Sequence, residues 1–247
     1  MLISQELKSK LESSGWLEHL SGFFASSEYK DIISAYNRDI SEGSTIYPPK
    51  DQIFRCLFDL KFNNIKVVIV DQEPYHGEGQ ANGLAFAVNK GQSKPLSLRN
   101  LFRELHDDTG INPNPSDGTL SGWLDQGVML LNSSLTVRRG EPGSHKDFKW
   151  DQLTDLIIKK ISDNKDFVVF ILIGQSTQTK AKLIDRRKHG IIETAHPAPL
   201  SAYKFFGSKP FTSANNLLQL NKLSPIDWIN TDGKKDGLFA KFIRNMR

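Results

Sequence analysis

Lys66-Val-Val-Ile-Val-Asp-Gln-Glu-Pro-Tyr-His-Gly-Glu-Gly-Gln-Ala-Asn-Gly-Leu-Ala-Phe-Ala-Val88 carries an apolar strand straight into a cluster of chemically capable side chains. Val67 to Val70 form a short β-branched run without alternation, the pattern of a strand covered on both faces, as in a parallel sheet flanked by helices. The run stops at Asp71, and Gln72, Glu73, Pro74, Tyr75 and His76 follow. Gly77, Gly79 and Gly83 then provide a loop that bends sharply and lets a ligand approach the backbone. Polar groups at the carboxyl end of a parallel strand lie where open α/β sheets bind their ligands. An ordinary strand-to-helix turn also uses proline and glycine. A carboxylate, a phenol and an imidazole within four consecutive residues are more than such a turn requires.

The same pattern recurs along the chain. Val128 to Leu131 form a second apolar run, which ends at Asn132; an asparagine amide both donates and accepts, which suits a base edge, although asparagine is also a common turn residue. Phe167 to Ile173 form a third run, ended by Gly174. Gly190 to Thr194 supply a fourth, followed by Ala195-His-Pro-Ala-Pro-Leu-Ser201. In that segment two prolines stiffen the backbone after His196 and hold Leu200 at a loop tip with Ser201 beside it. Between the strands, Ser97 is placed to cap a helix carrying Leu98, Leu101, Phe102 and Leu105, and Leu153 to Ile161 form an amphipathic helix. Residues 1–60 read as helical, with Leu7, Leu11, Trp16, Leu17 and Leu20 near helical spacing, interrupted by Tyr47-Pro-Pro49.

At 247 residues the chain suits one domain, residues 1–247, with 38% hydrophobic and 24% charged content and no stretch as long as a membrane span. The first residues mix acid and base rather than forming a basic cap and apolar core, so the expected location is cytoplasmic. Cys56 sits at an apolar helical spacing and reads as a small core residue. A net charge of +4 is compatible with a polyanionic partner but does not by itself point to DNA. Residues 231–247 form a basic amphipathic C-terminal extension, with Leu238, Phe239, Phe242 and Ile243 at helical spacing, expected to dock on the domain. Three strand ends thus offer Glu73, Tyr75 and His76, then Asn132, then His196. The sequence has no glycine fingerprint for a nucleotide cofactor, no paired-histidine spacing for zinc and no serine elbow, leaving a hydrolase that uses neither metal nor cofactor.

The stretch from Gln72 to Val88 closely resembles the water-activating motif of family 1 uracil-DNA glycosylases, usually Gly-Gln-Asp-Pro-Tyr-His-Gly followed by Gly-Leu-Ala-Phe-Ser-Val. Leu130-Leu-Asn132 with Leu135-Thr-Val-Arg138, Ser144-His145, and His196-Pro-Ala-Pro-Leu-Ser201 extend the resemblance over roughly residues 45–228. The resemblance implies a three-layer α/β/α fold around a central four-stranded parallel sheet. Glu73 stands where the family normally carries aspartate, Leu96 replaces the second proline of a Pro-Pro-Ser turn, and Lys149 replaces a glycine before Trp150.

By that resemblance the chain is a DNA base-excision repair enzyme, a monofunctional N-glycosidic hydrolase that releases uracil. It would be a monomer acting on single- or double-stranded uracil-containing DNA, with no membrane partner. Ser97, Leu200 and Ser201 would contact DNA, with Leu200 wedged into the base stack. The extruded base would stack on Phe86, with Gln72 also lining the pocket. Asn132 would pair with its polar edge, and Tyr75 would fill the space a thymine methyl needs. A neutral His196 would donate to the uracil oxygen that gains charge, while Glu73, helped by His76, would orient water and stabilise the cationic sugar. Glutamate extends the carboxylate by one methylene, and displacements of ~1 Å cost on the order of a hundredfold. Reduced activity is therefore expected, the alternative being a catalytically weakened uracil-DNA binding protein.

Overall fold

The computed structural model describes residues 3–112 and 118–233. The chain opens with helices α1 (Gln5–Ser13), α2 (Leu17–Phe24) and α3 (Ser27–Ser41), then strand β1 (Ile46–Tyr47), the short helix α4 (Arg55–Phe58) and strand β2 (Val67–Asp71). Helices α5 (Leu96–Thr109) and α6 (Ser121–Asp125) lead to β3 (Val128–Asn132) and β4 (Val137–Arg138). Helix α7 (Trp150–Asn164), β5 (Val169–Ile173), α8 (Gln175–Gln178), β6 (Gly190–Thr194), α9 (Ala202–Phe205) and α10 (Pro210–Leu220) follow.

Strands β3-β2-β5-β6, in that order, form one parallel sheet. Every residue of β2, β3 and β5 is buried. A parallel strand is sealed along its whole length only when helices cover both faces, which makes the architecture the three-layer α/β/α arrangement expected. The edge strand β6 has half-buried and exposed positions at Ile191, Ile192 and Glu193. Helix α10 packs on β5 and β6 and against α5, while α7 packs against α2.

The apolar runs stop within two residues of where the sequence places them, but several details differ. The first sixty residues are helical only in part. Beyond Ser41 they contain β1, which pairs antiparallel with β4 through Ile46 opposite Arg138, and short 3-10 turns. Two-residue strands have no periodicity to detect. Ser97 does not cap α5: the N-cap is Pro95, and Ser97 lies one residue inside the helix. The proline sets the extended entry, so the hydroxyl is free for a tertiary bond described below. Lys149 adopts φ 60°, ψ 32°, a left-handed conformation that glycine enters at no steric cost. The expected docking of the C-terminal extension falls beyond Gly233, outside the described residues.

Candidate active site

The order of the sheet decides where a ligand can sit. From β2 the chain crosses to β3 on one side, and from β5 it crosses to β6 on the other, so the segments leaving β2 and β5 diverge. The crevice at their carboxyl ends is the topological switch point, where open α/β sheets bind ligands. Asp71 and Asn132 are register partners at the ends of β2 and β3, and Ile173 is opposite Thr194 at the ends of β5 and β6. Glu73, Asn132 and His196 are thereby carried to one rim from three separate parts of the chain.

The side chains read as base contacts are held rigidly. The Tyr75 hydroxyl donates to the Phe86 carbonyl (3.0 Å) and accepts from the Ser97 hydroxyl (3.2 Å). Ser97 is thus a clamp on Tyr75. Phe86 is buried and sits at φ 63°, a costly backbone for a bulky residue that persists only where its surroundings over-determine it. The bend leading to it depends on Gly83, where a Cβ would lie 1.8 Å from the Gln52 carbonyl oxygen. Asn132 is 4% exposed, and among the described residues nothing hydrogen-bonds its buried Oδ1. An orphan acceptor of this kind costs roughly 1–3 kcal/mol, which a ligand N–H at that point would recover.

Glu73 is half-buried, and both carboxylate oxygens accept from the Gly143 N–H, at 3.1 and 2.8 Å. Burial pushes its pKa above the ordinary glutamate value; the Gly143 N–H opposes this, the Asp71 charge adds to it, and the charges of His76 and His196 favour ionisation. Residues behind Gly143 fix the loop. Arg138 grips Asp39 of α3 through Nε (2.5 Å) and Nη2 (2.7 Å), keeping that carboxyl below its usual range and ionised. The ionised Asp39 accepts from His145 Nε2 (3.0 Å). Burial keeps the imidazole neutral, so Nδ1 accepts the Thr136 hydroxyl proton (2.7 Å), and the Thr136 oxygen accepts from Trp150 Nε1 (2.7 Å). Every member of the chain is satisfied.

Asp39→Ala leaves His145 Nε2 without its acceptor and Arg138 with only the longer contact to Glu141 (3.4 Å). It is expected to cost about 2–3 kcal/mol, below the figure for a fully buried pair because the Arg138 side chain is 32% exposed. Urea denaturation measures this. Because the native Asp39 pKa is depressed, the contribution is present above the unfolded value of 3.8 and fades as pH falls through the native one.

His196 is held at both ring nitrogens. Nδ1 accepts from the Ala198 N–H (2.9 Å), which places the proton of the neutral ring on Nε2, and Nε2 lies 2.9 Å from Asp71 Oδ1. Burial lowers the imidazole pKa, but the hydrogen bond and charge of Asp71, together with the charge of Glu73, outweigh it, and the pKa lies above the ordinary histidine value. Gly174, at φ 96°, lets the ring sit close: a Cβ there would be 3.3 Å from that of His196. Asp71 was not singled out from the sequence. The available signal was the family motif itself, which opens with glycine where this chain has Asp71.

The remaining expected residues line the rim. His76 is exposed; its carbonyl accepts from the Gly140 N–H, and its charge reaches Glu73. Gln72 is exposed, with Oε1 accepting from Ser176 (3.3 Å). Leu200 is 93% exposed at the tip of its loop, next to exposed Tyr203 and Lys204. The Ser201 hydroxyl donates to the His196 carbonyl (2.6 Å) and Asn100 Nδ2 to the Pro197 carbonyl (2.8 Å), so both brace the loop beneath Leu200.

Fold and rim together bring a carboxylate (Glu73), a carboxamide (Asn132) and an imidazole (His196) to one set of strand ends, with the Phe86 ring 5.8 Å from that of His196 between centroids. The model of the uracil DNA glycosylase superfamily matches residues 59–219. A uracil-DNA glycosylase of Acinetobacter baylyi is 46% identical over 86% of this chain and 90% of its own, and one of Phocaeicola vulgatus 44% over 86% and 96%. The crystal structure of mimivirus uracil-DNA glycosylase superposes with a TM-score of 0.81, at 24% identity over 92% of this chain and 90% of that one, a likeness of fold. The chain belongs to the uracil DNA glycosylase superfamily.

Proposed function

We propose that the chain hydrolyses the N-glycosidic bond of deoxyuridine in DNA, releasing uracil and leaving an abasic site as a step of base-excision repair. The observation that carries this reading is the buried Asn132 Oδ1, unpartnered among the described residues, at the end of the strand that pairs with Asp71. In uracil, N3–H is a donor and O4 an acceptor, and an asparagine amide meets both; cytosine reverses that pattern. Tyr75 cannot swing aside to admit a thymine methyl without breaking its bonds to Phe86 and Ser97.

The base must leave the stack before it reaches this crevice, and Leu200 is the apolar wedge that fills the gap. In the reaction the N1–C1′ bond breaks with its electron pair leaving on uracil, where charge accumulates on the carbonyl oxygens. His196 Nε2–H is the donor to that charge, and ionised Glu73 faces the cationic sugar and takes up the proton of the water that adds to C1′. Glu73 in the usual aspartate place is part of this proposal. What supports it is the Gly143 N–H, which seats the longer carboxylate. We further propose that residues 1–247 work as one domain and as a monomer, in the cytoplasm, on single- or double-stranded DNA.

The test is base release from oligonucleotides containing one uracil, thymine or cytosine of defined position. Free uracil alone should appear, and absence of base release from all three contradicts the proposal. The acid limb gives a second check. A raised Glu73 pKa keeps the carboxyl protonated to higher pH, so kcat/KM should fall on the acid side at a pH above the 4.5 of an ordinary glutamate. A profile flat through that region contradicts the assignment.

A further inference from the structure

The mechanism leaves Asp71 unused, although it is buried at the end of β2 and hydrogen-bonded to His196. Its place is fixed by the sheet: it is the last residue of β2, hydrogen-bonded into the ladder opposite Asn132. A carboxylate beside a histidine often orients the ring through the nitrogen remote from substrate. Here that task is already done, because the Ala198 N–H at Nδ1 sets the tautomer and Ser201 fixes the backbone carbonyl of His196. Asp71 bonds instead to Nε2, the one nitrogen left with a proton to give.

With Nδ1 accepting from the Ala198 N–H, the ring has a single N–H, on Nε2, and two acceptors want it: Asp71 Oδ1 and the oxygen of the departing base. They also resemble each other, since a carboxylate oxygen is a planar, negatively charged acceptor like the carbonyl oxygen of a uracil anion. We propose that Asp71 is a further residue of the base pocket and stands in for the uracil carbonyl: in the ligand-free protein it holds the His196 Nε2–H, and the base binds by displacing it. The proposal rests on the function given above. Asp71 acts through His196 and is a positioning residue; its effect is to keep the donor aimed into the pocket while weakening retention of the released base. The negative charge disfavours a second anion close by, so a uracil anion leaves this pocket more readily than it would leave one with glycine at position 71. The same contact shields the buried carboxylate, whose ion-pair partner among the described residues is His196.

The test compares the parent protein with Asp71→Gly, which removes the competitor, and Asp71→Asn, which keeps shape and an acceptor but no charge. Calorimetric titration with free uracil should show tighter binding by about tenfold or more for Asp71→Gly, the range expected for a freed hydrogen bond to a charged acceptor, and a smaller gain for Asp71→Asn. In the uracil-free proteins, the His196 Nε2–H proton resonance should lie downfield in the parent and move upfield in both variants. A merely structural role for Asp71 would not sharpen uracil binding. Equal or weaker binding by both variants, or an unmoved His196 resonance, overturns the proposal while base release by the parent leaves the function standing. Neither uracil binding nor base release by the parent overturns both.

Discussion

Replacing Glu73 by glutamine should lower single-turnover uracil release by about 10²–10³-fold, with affinity for uracil-containing DNA little changed. The substitution is nearly isosteric. It keeps an acceptor for the Gly143 N–H and removes only the charge, so the seat of the side chain survives. In the proposed mechanism, what is lost is a preorganised negative charge beside a sugar that becomes cationic, and one such electrostatic contribution accounts for two to three orders of magnitude in comparable sites. Salt has to be held constant, because phosphate contacts make DNA affinity steeply dependent on ionic strength. Equal rates for the two proteins would remove Glu73 from the chemistry.

The second large effect is expected at His196. His196→Ala removes the proposed donor to the leaving base and should cut the rate of release by about 10²–10³-fold, with a much smaller change in the concentration of DNA giving half-maximal rate. It also leaves the buried Asp71 carboxylate without its partner, a desolvated acceptor costing roughly 1–3 kcal/mol, so a urea midpoint measured in parallel separates lost chemistry from lost fold. A variant that is folded and fully active would show that the base leaves without this donor.

The parts of the molecule legible in the sequence are those whose signal is local. Val67–Val70, Val128–Leu131 and Gly190–Thr194 are short apolar runs that each end in polar residues, and a parallel sheet with its site at the strand ends follows from that pattern. The motif residues Glu73, Tyr75, Asn132 and His196 lie where those strand ends place them. The couplings between distant segments were not legible. Asp71 meets His196 from 125 residues away, Asp39 meets His145 from 106, and Gly143 meets Glu73 from 70. No periodicity encodes such pairs; they exist only once the sheet has set the strand ends side by side. Ser97 shows the same limit from the other direction. Its local pattern is that of a cap, but a tertiary partner, the Tyr75 hydroxyl, takes its hydrogen bond.

The Gly143 contact also bears on the length of the carboxylate. Aspartate at position 73 is shorter by one methylene, so the Gly143 N–H contact favours glutamate there in the proposed mechanism. The most direct test is the single-turnover rate of uracil release from one uracil-containing oligonucleotide by the parent protein and Glu73→Asp at the same salt. Release by the parent is expected, with no gain, or a loss, on shortening the side chain. A parent that binds the oligonucleotide without releasing uracil, together with activity gained in Glu73→Asp, would contradict it.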